Sequence, residues 1–361
     1  MPDATSTWNR ETNNIKKINI MKRLLLIFLF AVSAYASCAQ DAVSLYGSRM
    51  SVMFYNSENL FDTFDDPDKN DDEFTPDGDR RWTNRRYWNK LENLSRVIVA
   101  VDEEQAPAVI GLCEVENDIV LNDLTTRSPL KNLGYEYLVT HSPDLRGINT
   151  ALLYRRELFR PVAHESLTVD ISRLGGSPTR DILHVTGRIP NGDTLDIYVC
   201  HWPSRIGGVE ESEPRRQTAA AVALKSIRQV FREREKPYVI LMGDLNEGAW
   251  DPAIRQTLGV MPLEDAAVLP DTSLVTMMED VSTGSYRYEG EWDTYDQFVV
   301  TASLLNGLGC TEIAECRICA LDFVLEEDKK YGGEKPFRTY NGYRYQNGFS
   351  DHLPVVLWLS F

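Results

Sequence analysis

The sequence has no long run of basic side chains, no internal repeat, no Pro/Gly/Ser-rich linker, no long disordered tail and no apolar stretch of bilayer-spanning length. Each absence excludes something. With 38 Lys and Arg against 54 Asp and Glu, the formal charge is −16. Such a chain has no global positive field for nucleic acid, which leaves only a local basic groove or metal-screened phosphate contacts. Six cysteines are present, but no pair has the spacing of a zinc site with matching histidines. A length of 361 residues would allow one large domain or two small ones, and the missing linker argues for one, over residues 41–361.

Residues 1–40 read as an export segment and not as part of the fold. Met21-Lys22-Arg23 is a short basic start, Leu24 to Val32 is an apolar run, and small residues follow at Ala34, Ala36, Ser37 and Ala39. The run is too short for a membrane span. The residues before Met21 are polar, so Met21 reads as the initiator. Cleavage after Ala36 and cleavage after Ala39 both fit a small-x-small site, and Cys38 adds lipid anchoring as a minor alternative. All these readings export the protein, to the periplasm or beyond. Removing the segment's net +3 leaves the rest of the chain near −19. In an oxidising compartment a disulfide among Cys310, Cys316 and Cys319 is permitted. Cys113 and Cys200 read as small buried hydrophobes.

The chain is organised around Tyr238-Val-Ile-Leu-Met-Gly-Asp-Leu-Asn246. Five apolar residues suit a strand buried on both faces. Gly243 is expected to turn the backbone, and alternation along an extended segment would point Asp244 and Asn246 the same way. Other segments repeat the pattern. Strands are expected over 50–55, 107–113, 135–140, 149–154, 182–189, 195–200, 297–301, 318–325 and 354–359, and helices over 86–104, 119–133 and 213–236. Asn191-Gly192-Asp193 reads as a hairpin turn. An acidic loop over 65–86 has Asp66, Asp68, Asn70 and Asp72 at the odd positions of a calcium loop, but Asp71 stands where that loop needs glycine. Strand after strand ends in, or is preceded by, an acid–base or metal-competent side chain: Asn56, Glu114, His201, Asp244 with Asn246, Asp296, and Asp351 with His352. Active sites gather polar residues from many strand ends in this way.

These residues lie in the segments Tyr-Asn56-Ser-Glu-Asn-Leu-Phe-Asp, Ile-Gly-Leu-Cys-Glu114-Val-Glu-Asn, Cys-His201-Trp-Pro-Ser-Arg, Gly-Asp244-Leu-Asn246, Tyr-Asp296-Gln-Phe and Ser-Asp351-His352-Leu-Pro. In that order they resemble the motifs of the endonuclease/exonuclease/phosphatase superfamily, from about Met50 to the C-terminus. The resemblance implies an α/β fold, a four-layer sandwich of two mixed β-sheets flanked by helices, and a metal-dependent phosphoric ester hydrolase. It implies Mg2+ or Mn2+ held by Glu114, with Asn56 and Asp351 in the ligand set. It implies His352, oriented by Asp296, as general base toward water. Asp244 takes the place of either a water-orienting base or a second metal contact, Asn246 that of a phosphate donor, and His201 that of the group that protonates the leaving oxygen or stabilises the charged phosphorane. Arg146, Arg180 and Arg205 are candidates for contact with phosphate. The expected partner is a phosphate-ester substrate, with nucleic acid among the candidates, and the expected activity an endonuclease-type phosphodiesterase. A phosphomonoesterase and a sphingomyelinase-like lipid phosphodiesterase are the alternatives. A binding protein on a dead hydrolase scaffold would have lost one of His201, Asp244, Asp296 or His352, and all are present.

Overall fold

The apolar runs pair into two sheets. The computed structural model describes residues 49–279, 283–307 and 309–361, which belong to one compact unit. The segment of residues 1–40 expected to direct export, with Met21 and Cys38, lies outside the described residues. In chain order the elements are β1 (Arg49–Leu60), α1 (Asn84–Ala100), β2 (Val109–Val115), α2 (Asp118–Thr126), β3 (Tyr135–Val139), β4 (Asn149–Arg155), β5 (Arg160–Leu167), β6 (Ile182–Arg188), β7 (Thr194–His201), α3 (Val209–Glu233), β8 (Tyr238–Asp244) and β9 (Leu274–Thr276). A hairpin of β10 (Tyr286–Tyr288) and β11 (Glu291–Asp293) follows, then β12 (Asp296–Thr301) and β13 (Glu312–Ile318). Short pairs β14 (Leu325–Glu327) with β15 (Glu334–Pro336) and β16 (Tyr340–Asn341) with β17 (Arg344–Tyr345) precede β18 (Val355–Ser360).

One six-stranded sheet has the order β13-β18-β1-β2-β4-β3, the other β5-β6-β7-β8-β12-β9. Each is mixed: β1 and β2 are parallel in the first, β7 and β8 in the second, and their other neighbours are antiparallel. The sheets meet face to face through β1, β2 and β4 on one side and β7 and β8 on the other. Gly111 in β2 makes room for this contact. A Cβ there would lie 2.7 Å from Cε of Met242 in β8. Helices cover the outer faces. Leu91, Leu94, Val97 and Ile98 of α1 pack with Tyr55, Leu112 and Leu153 of the first sheet. Ala219, Ala220, Ala223 and Ile227 of α3 pack with Tyr198, Val239 and Leu241 of the second. Four layers result, as the resemblance implied.

Where boundaries differ from expectation, local chemistry accounts for it. Helix α1 stops at Ala100 instead of Glu104 because Asp102 turns back into the sheet, accepting hydrogen bonds from Ser51 Oγ at 2.7 Å and Trp358 Nε1 at 3.0 Å. Helix α2 is capped by Asn117, whose Oδ1 accepts from the amides of Ile119 and Val120. It ends at Thr126, and Pro129 then opens a separate 3₁₀ turn over Pro129–Asn132. Helix α3 starts at Val209, four residues before the expected Glu213, and ends at Glu233. The strand expected over 318–325 is found instead as β13, over Glu312–Ile318. The Asn191-Gly192-Asp193 turn is present, with the Asp193 amide donating to Asn191 Oδ1 at 2.9 Å. Cys310, Cys316 and Cys319 are free thiols, so the permitted disulfide is not formed. Among the described residues no helix is long and apolar enough to cross a membrane.

Candidate active site

The topology brings the polar strand ends to one edge. Strands β1, β2, β7 and β8 finish there, and the antiparallel β4, β12 and β18 begin there, as Val115 beside Asn149, Asp244 beside Asp296 and Phe54 beside Val355 show. The ladders are irregular at this edge. The register shifts between Asn56 and Leu60 and between Cys113 and Val115. Bulges of this kind re-aim side chains. Glu58, Asn59, Glu114 and Asn246 have positive φ, at 48°, 58°, 58° and 49°. A left-handed non-glycine residue costs about 1–2 kcal/mol, so strain is concentrated where the side chains converge.

Asp244 is the hub. Its Oδ2 lies 3.7 Å from His201 Nε2 and 3.7 Å from His352 Nε2, and accepts a hydrogen bond from Asn56 Nδ2 at 3.1 Å. His352 is clamped from behind, its Nδ1 being 2.7 Å from Asp296 Oδ2. Tyr286 lies against its ring at 4.8 Å between centroids. The expected turn at Gly243 is replaced by something else. Gly243 is in strand, and a Cβ there would lie 2.3 Å from the carbonyl oxygen of Cys200, so glycine lets β7 and β8 approach and sets His201 beside Asp244. Nor does simple alternation align Asp244 with Asn246. Asn246 is left-handed and its amide donates to Asp244 Oδ1 at 3.0 Å. A buried Arg216–Glu247 ion pair ties the following turn to α3.

Charge is unevenly distributed over these groups. Burial, followed by Arg180 and Arg146, pushes the His201 imidazole well below the usual histidine range, which keeps it neutral. Burial also opposes charge on His352, but Asp296 and Asp244 outweigh it and hold the group at about 10, as imidazolium. Burial raises Asp244 to about 7 against the opposing pull of His352. Asp244 and His352 thus stand side by side as groups between which a proton can be held.

Glu114, Asn56 and Asp351 stand beside this hub. Glu114 Oε2 accepts from the Asn59 amide at 2.9 Å, and Oε1 is 3.5 Å from Arg146. Asn56 Oδ1 accepts from the Glu58 amide at 2.9 Å. Asp351 Oδ2 pairs with Arg338 at 2.9 Å. A hard divalent cation fits this donor set. The available atoms are oxygens, Glu114 Oε1 has only the half-exposed Arg146 guanidinium at 3.5 Å as its partner, and carboxylates crowd the site, with burial and then Asp351 raising Glu58. Among the described residues, Asp244, Asp296 and His352 also bring donor atoms within 4.8 Å of one another. There the Asp296–His352 hydrogen bond already engages two of the three.

The arginines are occupied. Arg146 Nη2 donates to Asn59 Oδ1 at 2.7 Å, and half of its side chain is exposed. Arg180 is buried, donating to the Trp202 carbonyl at 2.6 Å and lying 3.4 Å from Asp144. Arg205 bonds the Asn246 carbonyl at 2.8 Å and Asp251 at 2.5 Å. The acidic side chains of the 65–86 loop form no metal-sized cluster among the described residues.

Three residues near the site escaped sequence reasoning. Glu58 is buried, accepting from the Thr339 amide at 2.6 Å and lying 3.3 Å from Arg338 and 3.9 Å from Lys90. Lys90 falls on the inward helical stripe with Tyr87, Leu91 and Leu94, within reach of periodicity, whereas Glu58 sits on a left-handed backbone at a register shift that alternation does not describe. Nothing local pointed to Arg338.

The sequence model described as Endonuclease/Exonuclease/phosphatase family matches residues 51–360. No curated protein is similar enough in sequence to count as a relative. Among solved structures, a humanised D. rerio TDP2 is similar at 14% identity with a TM-score of 0.55, over 87% of this chain and 100% of that one. A mannosyl-6-phosphatase from Bacteroides thetaiotaomicron is similar at 15% identity and a TM-score of 0.52, over 86% and 100%. The human Nocturnin catalytic domain with bound sulfate is similar at 16% and 0.53, over 88% and 95%. At these identities the likeness shows the fold.

Proposed function

The chain belongs to the endonuclease/exonuclease/phosphatase family, whose members are metal-dependent phosphoester hydrolases, and from that premise we propose that it is an exported, divalent-metal-dependent phosphodiesterase with water as nucleophile. The observation that carries the reading is Asp244 Oδ2 at 3.7 Å from both His201 Nε2 and His352 Nε2. Phosphoryl transfer to water needs an acceptor for the water proton and donors for the oxygens around phosphorus. Asp244, near neutrality in its affinity for a proton, orients the water and takes its proton. His352, charged and fixed by Asp296, donates to a non-bridging oxygen. Asn246 spends one amide hydrogen on the Trp202 carbonyl at 3.2 Å and has a second for phosphate. Neutral His201 offers an imidazole N–H on the other side of Asp244. Glu114, with Asn56 and Asp351, would hold magnesium or manganese, whose charge would neutralise that of the phosphate.

A phosphomonoesterase is the second reading. It is favoured by the arginines, since Arg146, Arg180 and Arg205 are each bonded to carboxylate or amide oxygens within the protein. A long polyanion would find few free cations here. Export rests on residues 21–39.

The test is hydrolysis by the chain without its export segment, with magnesium or manganese and with chelator, on supercoiled plasmid, a bis-aryl phosphodiester and an aryl phosphomonoester. Diester turnover that requires metal and disappears in His352→Ala supports the first reading. Turnover confined to the monoester replaces it with the second, and turnover surviving His352→Ala or chelation overturns the mechanism.

A further inference from the structure

A cavity of about 530 Å³ opens beside His352 and Asn246. Its volume is that of a small-molecule site. Tyr286, Tyr288 and Tyr295, from the β10–β11 hairpin and the approach to β12, line it together with Ile206 and Arg205 from the loop after β7. Ile206 is 83% exposed and Tyr288 60% exposed, so large apolar surface is left in water at the mouth of a catalytic cleft. Apolar and aromatic side chains around a few polar groups are the usual lining of a small-molecule pocket.

The charge of the walls limits what enters. Arg205 lies over the Tyr295 ring at 4.6 Å, and its guanidinium is spent on Asp251 and the Asn246 carbonyl. The other charged side chains are the carboxylates of Asp293 and Asp351, the latter paired with Arg338, and the His352 imidazole, which faces the reacting phosphate. A second phosphate would meet the Asp293 carboxylate, with Arg205 paired to Asp251 and His352 turned to the first phosphate. Tyrosine rings instead offer flat faces to another ring and hydroxyls to neutral polar groups. Tyr286 ties the cavity to the reacting groups, because it stacks on Tyr295 at 5.6 Å and lies against His352 at 4.8 Å. A group held there is covalently within reach of a phosphate at His352.

We propose that this cavity is the subsite for an uncharged, ring-bearing substituent of the phosphate ester, held on Tyr288 and Tyr286 and covered by Ile206. The inference rests on the hydrolase reading and adds the class of alcohol.

Calorimetric binding of three non-hydrolysable probes in magnesium tests it: methylphosphonate, benzylphosphonate and 4-carboxybenzylphosphonate. Benzylphosphonate is expected to bind about tenfold tighter than methylphosphonate, as one aromatic stack provides. The carboxylated probe is expected to lose that advantage. In Tyr288→Ala and in Ile206→Ser the benzyl-to-methyl ratio falls about fivefold, whereas in Tyr343→Ala, a tyrosine 63% exposed outside the cavity, it stays as in the wild type. Equal binding of benzyl- and methylphosphonate, or a ratio that survives the Tyr288→Ala/Ile206→Ser double substitution, overturns the subsite. Ester hydrolysis is measured separately. Ring-selective binding without turnover of any ester keeps the subsite and overturns the hydrolase reading. Turnover without ring preference overturns the subsite alone, and no binding of any probe overturns it as well.

Discussion

His352 Nδ1 lies 2.7 Å from Asp296 Oδ2, and that bond sets the charge of the imidazole that faces Asp244. Asp296 is fully buried, so the carboxylate acts through little screening. Asp296→Asn keeps the shape and removes the charge. Turnover is expected to fall by about 10²–10⁴, the range for a positioned acid–base group. The His352 proton, followed by NMR, is expected to be lost at a lower pH than in the wild type. An unchanged His352 titration would show that Asp296 does not set its charge.

Glu114 is the predicted anchor for the cation. A ligand that binds only the folded state stabilises it by about 2.7 kcal/mol at one hundred times its dissociation constant. Magnesium is therefore expected to raise Tm in a concentration-dependent way, and chelator to reverse the rise. Glu114→Gln should lose the magnesium-dependent part of Tm while its Tm in chelator stays near the wild-type value. A Glu114→Gln protein that responds to magnesium like the wild type would move the cation elsewhere.

The strands at the site were legible because burial on both faces makes them nearly continuous apolar runs, and the change to Asp244 or Glu114 at the end is abrupt. Edge strands hid. β5 is mostly exposed and reads as polar loop, and half-exposed β13 was expected several residues too late. The detailed aim of side chains was not legible either. Asn246 depends on a left-handed backbone and Glu114 on a bulge, and alternation describes neither. Glu58 and Lys90 show a different limit. Periodicity points Lys90 inward, but its pairing with Glu58 at 3.9 Å joins β1 to α1, and no local pattern encodes a partner.

Gly243 tests how finely β7 and β8 must approach. Gly243→Ala would place a Cβ 2.3 Å from the Cys200 carbonyl oxygen, a backbone atom that has no rotamer to escape into. Strands must separate where His201 and Asp244 pair in register. A stability loss of about 1–3 kcal/mol is expected from the overpacking, together with a fall in kcat larger than any change in KM. Denaturant melts and steady-state kinetics measure the two effects. A stable, fully active Gly243→Ala protein would mean the spacing is not required.

Lys90 carries the last prediction. It is buried in α1, donates to Thr339 Oγ1 at 2.6 Å and the Phe349 carbonyl at 2.5 Å, and lies 3.9 Å from Glu58. It therefore fixes the segment that leads into Ser350, Asp351 and His352. Lys90→Met leaves buried acceptors without a donor and Glu58 without its buried cation, and a loss of about 3 kcal/mol is expected near neutral pH. Burial lowers the Lys90 ammonium to about 8 from its ordinary 10.5. Between those values the unfolded chain binds more proton at this position than the folded one, so the wild type gains stability as pH rises through the window. Lys90→Met lacks that gain, and the stability gap between the two proteins is expected to widen from pH 8 toward 10. Urea melts at pH 7, 8, 9 and 10 measure the gap. A gap that narrows over this range would mean that Lys90 keeps its proton more tightly when folded than when unfolded, and that the Glu58 pair outweighs its burial.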